Sequence, residues 1–187
     1  MMRQRISNAG FLLGIFGVFV TVSGCGAAHV RKELQAFDLD RYEKVYISDV
    51  RVYSLEKSAK DNKALLAKIE EWKVFARKEL ESYVKDSRYE LLKNPPTANE
   101  SVLLADLDIK VAYGNKALRY WVGFGAGSGG VDSTLTVTDS RTGEKKFIAK
   151  GESDLSMGAF GGNMEAVLKS NIENLIKQYP KRPGEFN

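Results

Sequence analysis

The stretch SVLLADLDIKVAY, residues 101–113, constrains this chain more than any other. Successive side chains of an extended backbone point to opposite sides. Leu103, Ala105, Leu107, Ile109, Val111 and Tyr113 therefore share one face, and Asp106, Asp108 and Lys110 share the other. A strand with an apolar face opposite a charged one belongs to a sheet that is covered on one side and wet on the other. Such a sheet needs a separate apolar layer, and two segments can supply it. Over 62–86, Leu65, Ile69, Trp72, Ala76, Leu80 and Tyr83 recur at helical steps, with Asp61 or Asn62 placed to cap the first turn. From Asn163 to Tyr179, Met164, Val167, Leu168, Ile172, Leu175 and Ile176 form a second stripe, which Pro180 and Pro183 end.

The remaining strands are read from alternation and turn residues. KVYISDVRVY, 44–53, is the first, with Val45, Ile47 and Asp49 on one side and Tyr46, Ser48 and Val50 on the other. A short strand at 89–92 stops at Asn94-Pro95-Pro96. Leu118 to Val122 is a candidate continuation of the sheet. Val131, Ser133, Leu135 and Val137 alternate with Asp132, Thr134, Thr136 and Thr138, and the Asp139–Gly143 turn leads into a partner strand over 145–155. The predicted fold class is α+β: a mainly antiparallel sheet covered on one face by a long helix and a C-terminal helix.

The first 24 residues read as a signal rather than as part of the fold. Arg3 and Arg5 precede the apolar run FLLGIFGVFV, and Val22-Ser23-Gly24-Cys25 follows. The tetrapeptide resembles the bacterial lipobox. That resemblance implies cleavage after Gly24 and a covalent lipid on Cys25, with Gly26 at the next position implying sorting to the periplasmic face of the outer membrane. An ordinary secretory signal with an incidental cysteine is the alternative. Residues 25–43 then read as a lipidated N-terminus and tether, 44–180 as a single α+β domain, and 181–187 as a tail. Cys25 is the one cysteine, so the domain's stability has to come from its core and not from a disulfide. Loss of Arg3 and Arg5 lowers the net charge from +4 to +2, and the remaining charges are interspersed, which excludes a nucleic-acid footprint.

Between the strands lies Arg119-Tyr-Trp-Val-Gly-Phe-Gly-Ala-Gly127, inside a run with five glycines over 123–130. This motif, the alternating strand after it and the Asp139…Thr142-Gly143 turn resemble the DUF4410 lipoproteins over about residues 40–180. The family has no assigned chemistry, so the resemblance implies an envelope location and transfers no catalytic residue. Gly125-Ala-Gly127-Ser-Gly129-Gly130 formally satisfies a dinucleotide fingerprint, but a Thr-rich strand follows where the fingerprint needs a helix N-terminus. The sole histidine, His29, lies beside the anchor, which leaves no Ser-His or Cys-His pair within the domain. No enzymatic activity, metal or cofactor is expected apart from the lipid on Cys25.

Two candidate surfaces remain. Tyr120, Trp121 and Phe124, set among Gly123, Gly125 and Gly127, combine aromatic anchors with close backbone approach; they form either a contact surface or a crossover stapled to the core. Asp106, Asp108 and Lys110 on the wet face form either a ligand face or a solvated one. The functional expectation is a non-enzymatic binding or assembly component of the cell envelope. Its partners would be the membrane, through its lipid, and an envelope protein or another copy of itself. A module for a small ligand or peptidoglycan fragment is the alternative.

Overall fold

In the computed structural model, the strand at Leu103–Ala112 lies inside a six-stranded mixed sheet. The structure describes residues 29–54, 62–87, 89–112, 129–155 and 164–179 of the 187. In chain order the elements are β1 (His29–Gln35), a 3-10 turn (Phe37–Arg41), β2 (Lys44–Ser54), α1 (Lys63–Lys85), β3 (Glu90–Leu91), β4 (Leu103–Ala112), β5 (Gly129–Asp139), β6 (Lys145–Leu155) and α2 (Met164–Ile176). The strands lie in the order β1-β6-β5-β4-β2-β3. The pairs β1–β6, β6–β5 and β5–β4 are antiparallel, whereas β2 pairs in parallel with both β3 and β4. The α+β reading holds, with two helices on one face among the described residues.

Each helix forms for the reason its sequence suggests. Asn62 caps α1, its side-chain oxygen accepting from the Leu65 N–H at 3.1 Å. Ile69, Trp72, Ala76, Leu80 and Val84 are its buried residues, one stripe at steps of three and four. α2 buries Val167, Leu168, Ile172 and Leu175 in the same layer. These stripes meet the inward row of the sheet: Val45, Ile47, Val50 and Val52 from β2, the odd-numbered residues of β4, Val131, Leu135 and Val137 from β5, and Phe147 and Ala149 from β6. Full burial of a side chain of this size contributes roughly 1.5–3 kcal/mol, so this layer outweighs any single polar contact. Gly143, at φ 71°, closes the β5–β6 turn in a conformation a side chain would strain.

Two sequence expectations are corrected. Residues 29–43 are not a bare tether, because His29–Gln35 is an edge strand on β6. HVRKELQ shows no apolar alternation because an edge strand with Arg31, Lys32 and Glu33 exposes nearly every side chain. The sheet therefore includes residues ahead of Lys44. The second correction is in β2, where the register shifts between Ile47 and Asp49 as the strand runs along β4. Ser48 is the extra residue of this bulge, so Val50 and Val52 turn inward beside Val45 and Ile47 while Asp49 turns outward with Arg51.

Candidate functional site

The open face of the sheet carries the candidate ligand residues in transverse rows. Nearest the Ser54 end of β2, Tyr53, Lys110, Asp132, Glu152 and His29 follow one another across the strands. The next row is Arg51, Asp108, Thr134, Lys150 and Arg31. Further along come Asp49, Asp106, Thr136, Ile148 and Leu34. Charge is concentrated in the first two rows.

Asp106, Asp108 and Lys110 share this face as expected, and the structure supplies partners that the sequence alone did not reveal. Asp106 stands opposite Asp49, a like-charged pair that disfavours the sheet unless relieved. The bulged Ser48 relieves it by donating its hydroxyl to Asp106 Oδ1 at 2.7 Å. Arg51 bonds Asp108 and sits 3.5 Å from Asp49. The hydrogen bond and charge of Asp108 hold the Arg51 guanidinium more firmly protonated. Lys110 lies 3.7 Å from Asp132, Lys150 lies 3.0 Å from Glu33, and Arg31 lies 3.5 Å from Glu152. A shallow groove of about 410 Å³ runs over Tyr53, Asp108, Lys110, Asp132 and Lys150. Its charged lining residues Asp108, Lys110, Asp132, Lys150 and Glu152 each lie against a side chain of opposite charge. Among the described residues, no group of three or more His, Cys, Asp or Glu could hold a metal ion.

Two polar clusters escaped the sequence reading. The first lies at the opposite end of the sheet. Tyr42 donates its hydroxyl to Asp139, whose other oxygen accepts the Arg141 and Thr142 N–H groups at 2.7 and 3.0 Å. Burial, then the bond to Asp139, pushes the Tyr42 phenol up to about 12. Burial alone would raise Asp139, but Tyr42 and the two backbone donors outweigh it and hold the carboxyl below its usual range. Lys146, its side chain 7% exposed, reaches Asp38 at 2.7 Å and Glu144 at 2.8 Å, and these two bonds raise its pKa. The cluster ties the segment between β1 and β2 to the β5–β6 hairpin. Tyr42 and Lys146 carried no local signal, because each faces its partner only after strands distant in sequence have paired.

The second cluster is buried under α2. Asn171, fully inaccessible, accepts from Ser133 and donates to Ser153 Oγ at 2.8 Å and to the Val131 carbonyl at 3.2 Å. Gly151 makes room for it, since a methyl group there would lie 2.7 Å from Ser133 Oγ. This cluster did leave a signal. Asn171 occupies a core position of the α2 stripe, and Ser133 and Ser153 occupy inward positions of β5 and β6.

The other candidate residues, Cys25, Tyr120, Trp121, Gly123, Phe124, Gly125 and Gly127, lie outside the described residues. The flanks of the Gly/aromatic stretch are placed: Ala112 pairs with Gly130 at the charged end of the sheet. No described helix is long and apolar enough to cross a membrane.

No protein-family model and no curated protein matches the chain. Among solved structures, it is similar to a PelC dodecamer from Paraburkholderia phytofirmans, at 15% identity and a TM-score of 0.50, over 83% of this chain and 99% of that one. The L103M variant of that dodecamer aligns at 15% identity and a TM-score of 0.41, over 80% and 94%. A PDZ domain protein from Parabacteroides distasonis aligns at 7% identity and a TM-score of 0.44, over 85% of this chain and 37% of that one. At these identities the first likeness speaks to the fold alone.

Proposed function

We propose that this chain is a lipid-anchored component of the bacterial envelope, acylated at Cys25 and held at the periplasmic face of the outer membrane. Its α+β domain binds or assembles with another envelope protein or a second copy of itself and performs no bond-breaking chemistry. The proposal includes membership of the DUF4410 lipoproteins. The observation that carries it is the Val22-Ser23-Gly24-Cys25 tetrapeptide directly behind a basic start and an apolar run.

The polar face supports binding over catalysis. Asp106, Asp108 and Lys110, the residues best suited to acid–base work, are each engaged by a neighbour across the strands. Both sheet edges are poor templates for strand addition: β3 has two residues, and β1 carries a bulge together with Arg31, Lys32 and Glu33. This favours the stretch with Tyr120, Trp121 and Phe124 as the contact surface. PelC is a dodecamer, and self-association is one form that assembly takes in this reading. Crosslinking in cells, comparing the wild type with Gly125→Val/Gly127→Val, tests it: the variant should lose crosslinked species. The same species in both would remove that stretch as the contact surface.

The groove over Tyr53, Asp108 and Lys110 supports a second reading, a module for a small ligand or peptidoglycan fragment. It predicts a thermal shift of the soluble domain with envelope fragments that Asp108→Ala abolishes. The absence of a shift with every fraction would remove it.

A further inference from the structure

β1 changes how far the domain can stray from its anchor. Were residues 25–43 a free tether, nineteen Cα steps would separate Cys25 from Lys44, a reach of about 65 Å at 3.3–3.6 Å per residue. With β1 docked on β6, four steps separate Cys25 from His29, a reach of about 14 Å. The eleven-residue strands β2, β5 and β6 each span about 36 Å. The leash is therefore shorter than the domain, and the place where β1 begins decides what lies near the bilayer.

The register identifies that place. His29 pairs with Glu152 near the end of β6, Asp132 pairs with Glu152, Lys110 with Asp132, and Tyr53 with Lys110. The start of β1, the end of β2, the end of β4, the start of β5 and the end of β6 thus form one rim. The 3.9 Å contact between Lys68 and Glu165 places the second turn of α1 beside the first turn of α2. Lys145, the β5–β6 turn and Phe37 occupy the opposite rim, Phe37 without any burial. The side chains of the first rim are mixed in sign, with Lys110 and Arg31 beside Asp132 and Glu152. Such a rim can meet phospholipid headgroups without the repulsion a single-sign surface would suffer. The exposed charges of β1, Arg31, Lys32 and Glu33, disfavour laying that edge flat against acyl chains.

We infer that the rim bearing His29, Tyr53, Lys110, Asp132 and Glu152 faces the membrane carrying the anchor, and that the Lys145 and Phe37 rim faces the aqueous compartment. The inference rests on acylation of Cys25, as proposed above. It is tested with the full, lipidated chain reconstituted in phosphatidylethanolamine/phosphatidylglycerol vesicles. Once Cys25 is acylated the chain has no other thiol, so Asp132→Cys and Lys145→Cys each accept one fluorophore. A headgroup-attached spin label should quench the Asp132 position at least threefold more than the Lys145 position. A fifteen-residue Gly/Ser insertion between Ala28 and His29 should erase the difference. Equal quenching at both positions in the chain without the insertion, or stronger quenching at Lys145, would overturn the orientation. Mass spectrometry of the same sample separates the two proposals. An unmodified Cys25 sinks both, whereas an acylated Cys25 with equal quenching sinks the orientation alone.

Discussion

The two faces of the sheet are built from the same strands, yet they hold polar groups on different terms. On the covered face, Ser133, Ser153 and Asn171 are sealed from water, and each polar atom has a defined partner. On the open face, Asp106, Asp108 and Lys110 are also partnered, but water can replace every partner. An unmade hydrogen bond in the interior costs the full desolvation of the abandoned group, about 1–3 kcal/mol, whereas an exposed ion pair contributes about 0–1 kcal/mol. The covered face should therefore fix where α2 sits, and the open face should tolerate change.

That contrast is sharpest at Asn171. Asn171→Leu keeps the size and strips Ser133, Ser153 and the Val131 carbonyl of a partner, so the soluble Cys25→Ser domain should lose about 3 kcal/mol in urea unfolding. A loss below about 1 kcal/mol would mean that water reaches the cluster and the faces do not differ. Tyr42→Phe should come next, at about 2 kcal/mol, because it abandons the buried Asp139 carboxylate.

The same residue sets an alkaline limit. The folded-state phenol titrates at about 12 against an ordinary value of 10, so its contribution is fully present below pH 10 and is lost as the pH rises towards 12. Tyr83, raised to about 12 by burial, behaves likewise. Tyr42→Phe should therefore flatten part of the stability loss between pH 10 and 12 and leave the Tyr83 part. An unchanged profile would show that Tyr42 is not shielded. Asp139 works in the opposite direction: its lowered carboxyl contributes above the usual carboxylate range, and that contribution disappears as the pH falls through its folded-state value. The smallest effect belongs to the open face. Asp108→Asn should change stability by less than about 1 kcal/mol, and the change should shrink further in high salt. A larger, salt-insensitive loss would mark this face as structural.

Legibility in the sequence followed the same division. Leu103–Ala112 and α1 could be read because one face of each is apolar at the right period, and burial enforces that period. β1 could not, because an edge strand built from Arg31, Lys32 and Glu33 has no buried face to report itself. The β2 bulge was hidden as well: Asp49 fits the alternation from Val45 until the register against β4 is known. The open-face residues Asp106, Asp108 and Lys110 were located correctly, but their partners Ser48, Arg51 and Asp132 lie on other strands and depend on register. Asn171 was legible in principle, as a polar residue at a core position of a helical stripe.

Whether Cys25 holds the domain at the membrane is decided by intact mass analysis of the N-terminal peptide from membrane-purified protein. The mature chain should begin at Cys25 and carry covalent acyl groups. A chain that retains residues 1–24, or one that begins elsewhere with a free Cys25 thiol, would contradict it.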